Sequence, residues 1–135
     1  MGSDSVVDRL GLEQGHLVLE VGLDSDSDES LRTAITTKTG TPFVEDEASD
    51  VVDAVLLWWR EGDGDLVDEL VDALTFLTET GPIWLLTPKA GREGHVEPSD
   101  IQDAAPTAGL SQTVSFAAGA DWTATRLVAR KSARK

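Results

Sequence analysis

The stretch Val51-Val-Asp-Ala-Val-Leu-Leu-Trp-Trp59 constrains this chain more than any other. It is almost continuously apolar, rich in β-branched and aromatic residues, and closed by Arg60-Glu-Gly-Asp-Gly-Asp65. A run this short and apolar reads as a strand covered on both faces, the kind found in parallel sheets between helices. His16-Leu-Val-Leu-Glu-Val-Gly22 and Ile83-Trp-Leu-Leu-Thr87 share its character. The segments between these runs change to helical spacing. The acidic stretch Asp24 to Glu29 caps a helix whose stripe is Leu31, Ala34 and Ile35 and which Gly40 ends. Asp65 caps a second, striped by Leu66, Val67, Leu70, Val71, Leu74 and Leu77 and stopped at Gly81-Pro82. A third opens at Pro98-Ser-Asp100 and runs through Ile101, Ala104, Ala105 and Ala108, limited by Pro106.

Two minor elements complete the reading: a short helix over Val6 to Leu12, and a short edge strand over Thr41 to Val44, where Pro42 fits only an edge or a strand start. Gln112 to Ala118 and Trp122 to Ala129 are expected to pair as an antiparallel hairpin around Gly119-Ala-Asp121. Alternating strands and helices predict an α/β fold: a Rossmann-like three-layer sandwich, its sheet mainly parallel with a C-terminal antiparallel hairpin. The 135 residues fit one domain, expected over 6–129, with a flexible N-terminus at 1–5 and a flexible basic tail at 130–135.

Charge narrows the function classes. The net charge is −14, and all 25 acidic residues lie at or before Asp121. Such a body repels nucleic acid and anionic membranes at long range. Five basic residues (Arg126, Arg130, Lys131, Arg134, Lys135) gather in the last ten positions. A tail contact with a phosphate backbone or an acidic partner is the one exception this allows; solvated charge is the plainer reading. The chain has no cysteine, which excludes disulfides, thiolate zinc sites and a thiol nucleophile. No apolar run reaches the length of a membrane span and no signal peptide is legible, so a cytoplasmic protein is expected.

Several segments resemble known families. Gly11-Leu-Glu-Gln-Gly-His-Leu-Val-Leu-Glu-Val-Gly22, Val52-Asp-Ala-Val-Leu-Leu57, Gly81-Pro-Ile-Trp-Leu-Leu86 and the final hairpin look like the first motif, fourth strand, fifth strand and antiparallel pair of a class I S-adenosylmethionine-dependent methyltransferase core. More closely, Val55-Leu-Leu-Trp-Trp-Arg60, Ile83-Trp-Leu-Leu-Thr-Pro-Lys89, Gly94-His-Val-Glu-Pro98 and Asp121-Trp-Thr-Ala-Thr-Arg-Leu-Val128 resemble DUF3052, an actinobacterial family of unknown function. That resemblance covers roughly residues 8–130 and implies no activity. The methyltransferase resemblance implies several glycines after the first strand, so that backbone passes close to the cofactor. Here Gly22 stands alone before Asp24, Asp26, Asp28 and Glu29. It also implies an acidic residue at the end of a second strand for the ribose, for which Glu45 or Asp46 is the candidate. Between Phe43 and Val51 there is too little chain for a full strand–helix–strand crossover, so a reduced strand set is expected.

Other constellations are weaker. Asp24-x-Asp26-x-Asp28 imitates the start of a calcium loop, but Glu29 takes the glycine position and Ile35 the place of the bidentate glutamate, so no metal site is expected. There is no G-x-G-x-x-G and no P-loop. Ligands of open α/β sheets bind outside the carboxyl ends of the strands. That rule gathers Gly22, Asp24, Trp59, Arg60, Asp63, Lys89 and His95 around one candidate crevice, although Trp58, Trp59 and Trp84 also read as core. No nucleophile or acid–base pair stands out, so no catalytic residue is assigned. The sequence thus favours a non-enzymatic interaction or regulatory module with a protein partner of unknown identity and no cofactor. The alternative is a protein that binds S-adenosylmethionine or another nucleoside, or a methyltransferase. Oligomeric state is not legible.

Overall fold

The structure, a computed structural model, describes residues 9–22, 24, 27–44, 51–78, 81–118 and 121–129. Its elements run β1 (Val18–Val21), α1 (Glu29–Thr39), β2 (Ala54–Trp58), α2 (Leu66–Leu74), β3 (Ile83–Pro88), α3 (Pro98–Thr107), β4 (Leu110–Ala117) and β5 (Trp122–Ala129). The sheet order is β1-β2-β3-β5-β4. The first three strands are parallel, and β5 pairs antiparallel with both β3 and β4. This is the expected mainly parallel sheet with an antiparallel hairpin. The hairpin's two strands occupy inner and edge positions, so Arg126, counted above with the basic tail, belongs to an inner strand opposite Trp84. The remaining tail residues, 130–135, lie outside the described residues, as do Glu45, Asp46 and residues 6–8 of the expected N-terminal helix.

Strand alternation sorts the apolar residues onto two faces. On one, Leu31 and Ile35 of α1 pack with Leu10, Leu12, Val18, Leu56, Trp58, Trp84, Leu86 and Trp122. On the other, Leu70 and Ala73 of α2 and Ile101, Ala104 and Ala105 of α3 pack with Leu19, Val55, Leu57, Trp59, Ile83, Leu85 and Leu127. A large apolar side chain buried this way contributes about 1.5–3 kcal/mol, so β2 and β3, buried at every position, are the keel of the fold. Asp53 interrupts the apolar run for a reason: its carboxylate accepts from the Leu17 backbone N–H at 2.8 Å and ties the start of β1 to β2.

Two elements differ from expectation. Thr41 to Val44 forms no strand; only Val44 bridges, parallel to Leu19. Val44 is the last residue before 45–50, which lie outside the described residues. The second helix stops at Leu74 with Thr75 as its cap, not at Leu77. Leu77 instead bridges Val52, whose N–H donates to the Phe76 carbonyl and whose carbonyl accepts from the Thr78 N–H. An apolar residue can stay on the helical stripe by packing while its backbone pairs with a strand.

Candidate functional site

The carboxyl ends of β1 and β2 are where a ligand of such a sheet is expected. Glu20 stands one residue from the end of β1 and is almost wholly buried, its side chain 6 % exposed. A carboxylate buried to this degree needs partners. It has three donors: Arg32 Nε at 2.6 Å, Arg32 Nη2 at 2.8 Å and Trp58 Nε1 at 2.9 Å. Hydrogen bonding to Glu20 holds the Arg32 guanidinium above its ordinary pKa, against the opposing effect of burial. Arg32 also reaches Glu29 at 2.9 Å and lies over the Phe43 ring. The network fastens α1 and the 41–44 segment to the sheet.

Gly22 follows with φ of +84°. A Cβ at this position would run into the Trp58 carbonyl oxygen. Its lack of a side chain therefore serves a close approach between β1 and β2. Above it lies Arg60, with only 14 % of its side chain exposed. Its Nη1 donates to the Gly22 carbonyl at 3.0 Å and to the Trp58 carbonyl at 3.4 Å, and its Nη2 donates to Ser27 Oγ at 3.4 Å. The guanidinium sits 5.2 Å from the Trp122 ring centroid, and Trp122 meets Trp58 edge-on at 4.8 Å. Asp63 accepts from the Arg60 backbone N–H at 3.0 Å and lies 3.5 Å from its Nη1. Ser27 Oγ also accepts from the Asp24 N–H at 3.1 Å.

Of the seven residues gathered from sequence, Gly22, Asp24, Arg60 and Asp63 meet here, Gly22 and Asp63 joined by Arg60 and Asp24 through Ser27. Trp59 does not: strand alternation turns it into the core on the α2 side. Lys89 and His95 belong to the end of β3, where the Lys89 N–H donates to the Asp121 carbonyl and His95 Nδ1 lies 2.9 Å from the Pro88 carbonyl. Three participants escaped the sequence reading: Glu20, Arg32 and Ser27. A lone acid inside an apolar strand is the signal that points to Glu20, because such a group requires a buried donor. Beside the site, an open groove of about 870 Å³ runs between β1, α1 and the 41–44 segment, lined by Glu20, Gly22, Arg32, Thr36, Thr41 and Phe43 among others. Among the described residues no three histidine or acidic side chains come together to hold a metal ion. No helix among them is long and apolar enough to cross a membrane.

Comparison with known proteins gives the family and the fold. Residues 7–131 match DUF3052, described as a protein of unknown function. Over 124 residues the chain is 49% identical to the uncharacterized protein Rv2239c of Mycobacterium tuberculosis and to the uncharacterized protein Mb2263c of Mycobacterium bovis, covering 92% of this chain and 78% of each relative. Similar solved structures include a SAM dependent methyltransferase from Aquifex aeolicus (14% identity, TM-score 0.57, covering 93% of this chain and 88% of that one). They also include the mitomycin 7-O-methyltransferase MmcR (11% identity, TM-score 0.64, covering 96% and 53%). At these identities the likeness is one of fold alone: the five-stranded sheet and its helices form a methyltransferase-like, Rossmann-like architecture.

Proposed function

Since the chain belongs to the DUF3052 family, whose function is unknown, we propose from the site that it is a non-enzymatic interaction or regulatory module whose cofactor crevice is closed by its own side chains. The observation that carries this reading is Arg60. Its guanidinium occupies the approach to Gly22, hydrogen-bonds two strand-end carbonyls and covers Trp122. A nucleoside seated over the Gly22 and Trp58 carbonyls has to displace it. Each hydrogen bond from a charged donor is worth about 1.5–3 kcal/mol, so the displacement takes on the order of 3–5 kcal/mol from the ligand's affinity. At 1.4 kcal/mol per tenfold, that turns micromolar binding into roughly millimolar binding. The acidic stretch after Gly22 adds repulsion toward phosphate-bearing ligands.

Calorimetric titration of the purified chain with S-adenosylmethionine and S-adenosylhomocysteine, with tryptophan emission read alongside, tests the closed crevice. The expected result is no saturable heat below millimolar ligand; saturable micromolar binding overturns the reading. The interaction role predicts that the purified chain captures the same protein partner across a range of salt, and recovering nothing reproducible counts against it. The second reading, a nucleoside-binding protein or methyltransferase, has one feature in its favour: the groove beside β1 falls within the size range of small-molecule sites. The same titration decides it.

A further inference from the structure

On the face of the sheet away from Arg60 lies a separate cavity of about 90 Å³, at the junction of β3, β5, β4 and α3. Its floor is a patch of hydroxyls. Thr87 pairs across with Thr123, and Thr125 pairs across with Ser115, so four hydroxyl residues share one face of three adjacent strands. Thr87 and Thr125 are 3% and 2% exposed, and neither hydroxyl makes a side-chain hydrogen bond among the described residues. Two buried hydroxyls without partners in one cavity are uncommon, because each gives up its hydrogen bonds to water on folding. His95 forms a wall. The Pro88 carbonyl 2.9 Å from its Nδ1 can only accept, so Nδ1 carries a proton, and in the uncharged tautomer that leaves Nε2 as an acceptor. Glu97, outside the lining, is 4.0 Å from Nε2, beyond hydrogen-bond reach.

We propose that this cavity binds a small neutral polyol. The lining offers hydroxyls that can donate and an imidazole nitrogen that accepts; a ligand hydroxyl answers both at once. No Lys, Arg, Asp or Glu is in the lining, so no permanently charged side chain is there to pair with an ionic ligand. Val96, Pro98 and Ile101 supply the apolar wall a carbon chain needs. A space of this size admits several waters or one glycerol-sized molecule. The proposal is independent of the closed crevice, which lies on the other face of the sheet.

The test is an NMR titration of the full chain with glycerol, following the His95 ring nitrogens and the Thr87 and Thr125 methyl groups. His16 is the internal control: its Nδ1 accepts from the Glu13 N–H in an exposed turn. The expected result is saturable movement at His95 and Thr125 with one common midpoint, and none at His16. In Thr125→Val, which keeps the shape and removes the hydroxyl, the midpoint rises about tenfold or more. Ser115→Ala supplies the same comparison at an exposed position should the valine variant fail to fold. Shifts that grow linearly and equally at His95 and His16 overturn the proposal, as does an unchanged midpoint in the folded variant. Saturation by sodium acetate at similar concentration overturns the neutral-ligand assignment.

Discussion

Replacing Gly22 with alanine asks whether the glycine ending β1 is held by the sheet or by a ligand. Two costs add. At φ of +84° an L-residue is in the left-handed region, at roughly 1–2 kcal/mol. The new Cβ would also stand 3.3 Å from the Trp58 carbonyl carbon and well inside contact distance of its oxygen. Trp58 is paired with Leu86, and Leu57 just before it with Val21, so its carbonyl cannot retreat without disturbing the ladder. Overpacking of this kind costs about 1–3 kcal/mol. Alanine's smaller unfolded-state entropy returns at most about 1 kcal/mol. The net expectation is a loss of about 3 kcal/mol, a large share of the ~5–15 kcal/mol that holds a typical domain. Gly11→Ala is the control. Gly11 has a φ of +73° with nothing within 4 Å of its missing Cβ, so it carries the backbone cost alone, about 1 kcal/mol. Urea unfolding by tryptophan emission and circular dichroism, at unchanged m-value, measures both. If Gly22→Ala loses no more than Gly11→Ala, the close approach of β2 is not what requires glycine, and the ligand-loop explanation returns.

Two further outcomes follow from the same contacts. Glu20→Ala takes the shared acceptor from Arg32 Nε and Nη2 and from the Trp58 indole and should destabilise by about 3 kcal/mol, whereas Glu20→Gln, which keeps an oxygen, should lose less; equal losses by denaturant titration would show that an uncharged oxygen restores none of the network. Glu69 is pushed above the ordinary carboxylate range by burial first and by Asp72 and Asp63 next. The folded state holds that proton more tightly than the unfolded chain, so ionisation above the range works against folding. Glu69→Gln should therefore gain a few tenths of a kcal/mol at neutral pH, discounted for its exposure, with the gain vanishing below the unfolded carboxylate pKa; a gain that persists in acid would contradict this.

The frame was legible because its strands announce themselves: Val55 to Trp58 and Ile83 to Leu86 have no polar position, and no other arrangement hides so much apolar surface on both sides. Element ends were less legible. Leu77 fits the helical period and still pairs with Val52, because periodicity reports which residues are buried and not which backbone partner they take. The site was legible as a location more than as a mechanism. Arg60 and Gly22 stand out in the sequence, yet only the fold reveals that the one donates to the carbonyl of the other across 38 positions. Ser27, Thr87 and Thr125 carry no sequence signature at all, since a hydroxyl residue on a strand or cap looks the same with a partner or without one.

The place of β5 has a consequence for how the protein is made. It is the last described element in chain order, yet it lies between β3 and β4. A chain emerging from the ribosome therefore has β1 to β3 and α1 to α3 in hand while the edge of β3 stays bare and β4 waits for a neighbour. Only when residues 122–129 are released can the sheet close. A product cut short anywhere before them keeps an unpaired apolar edge that quality-control proteases and chaperones can recognise, so the topology itself separates finished molecules from unfinished ones.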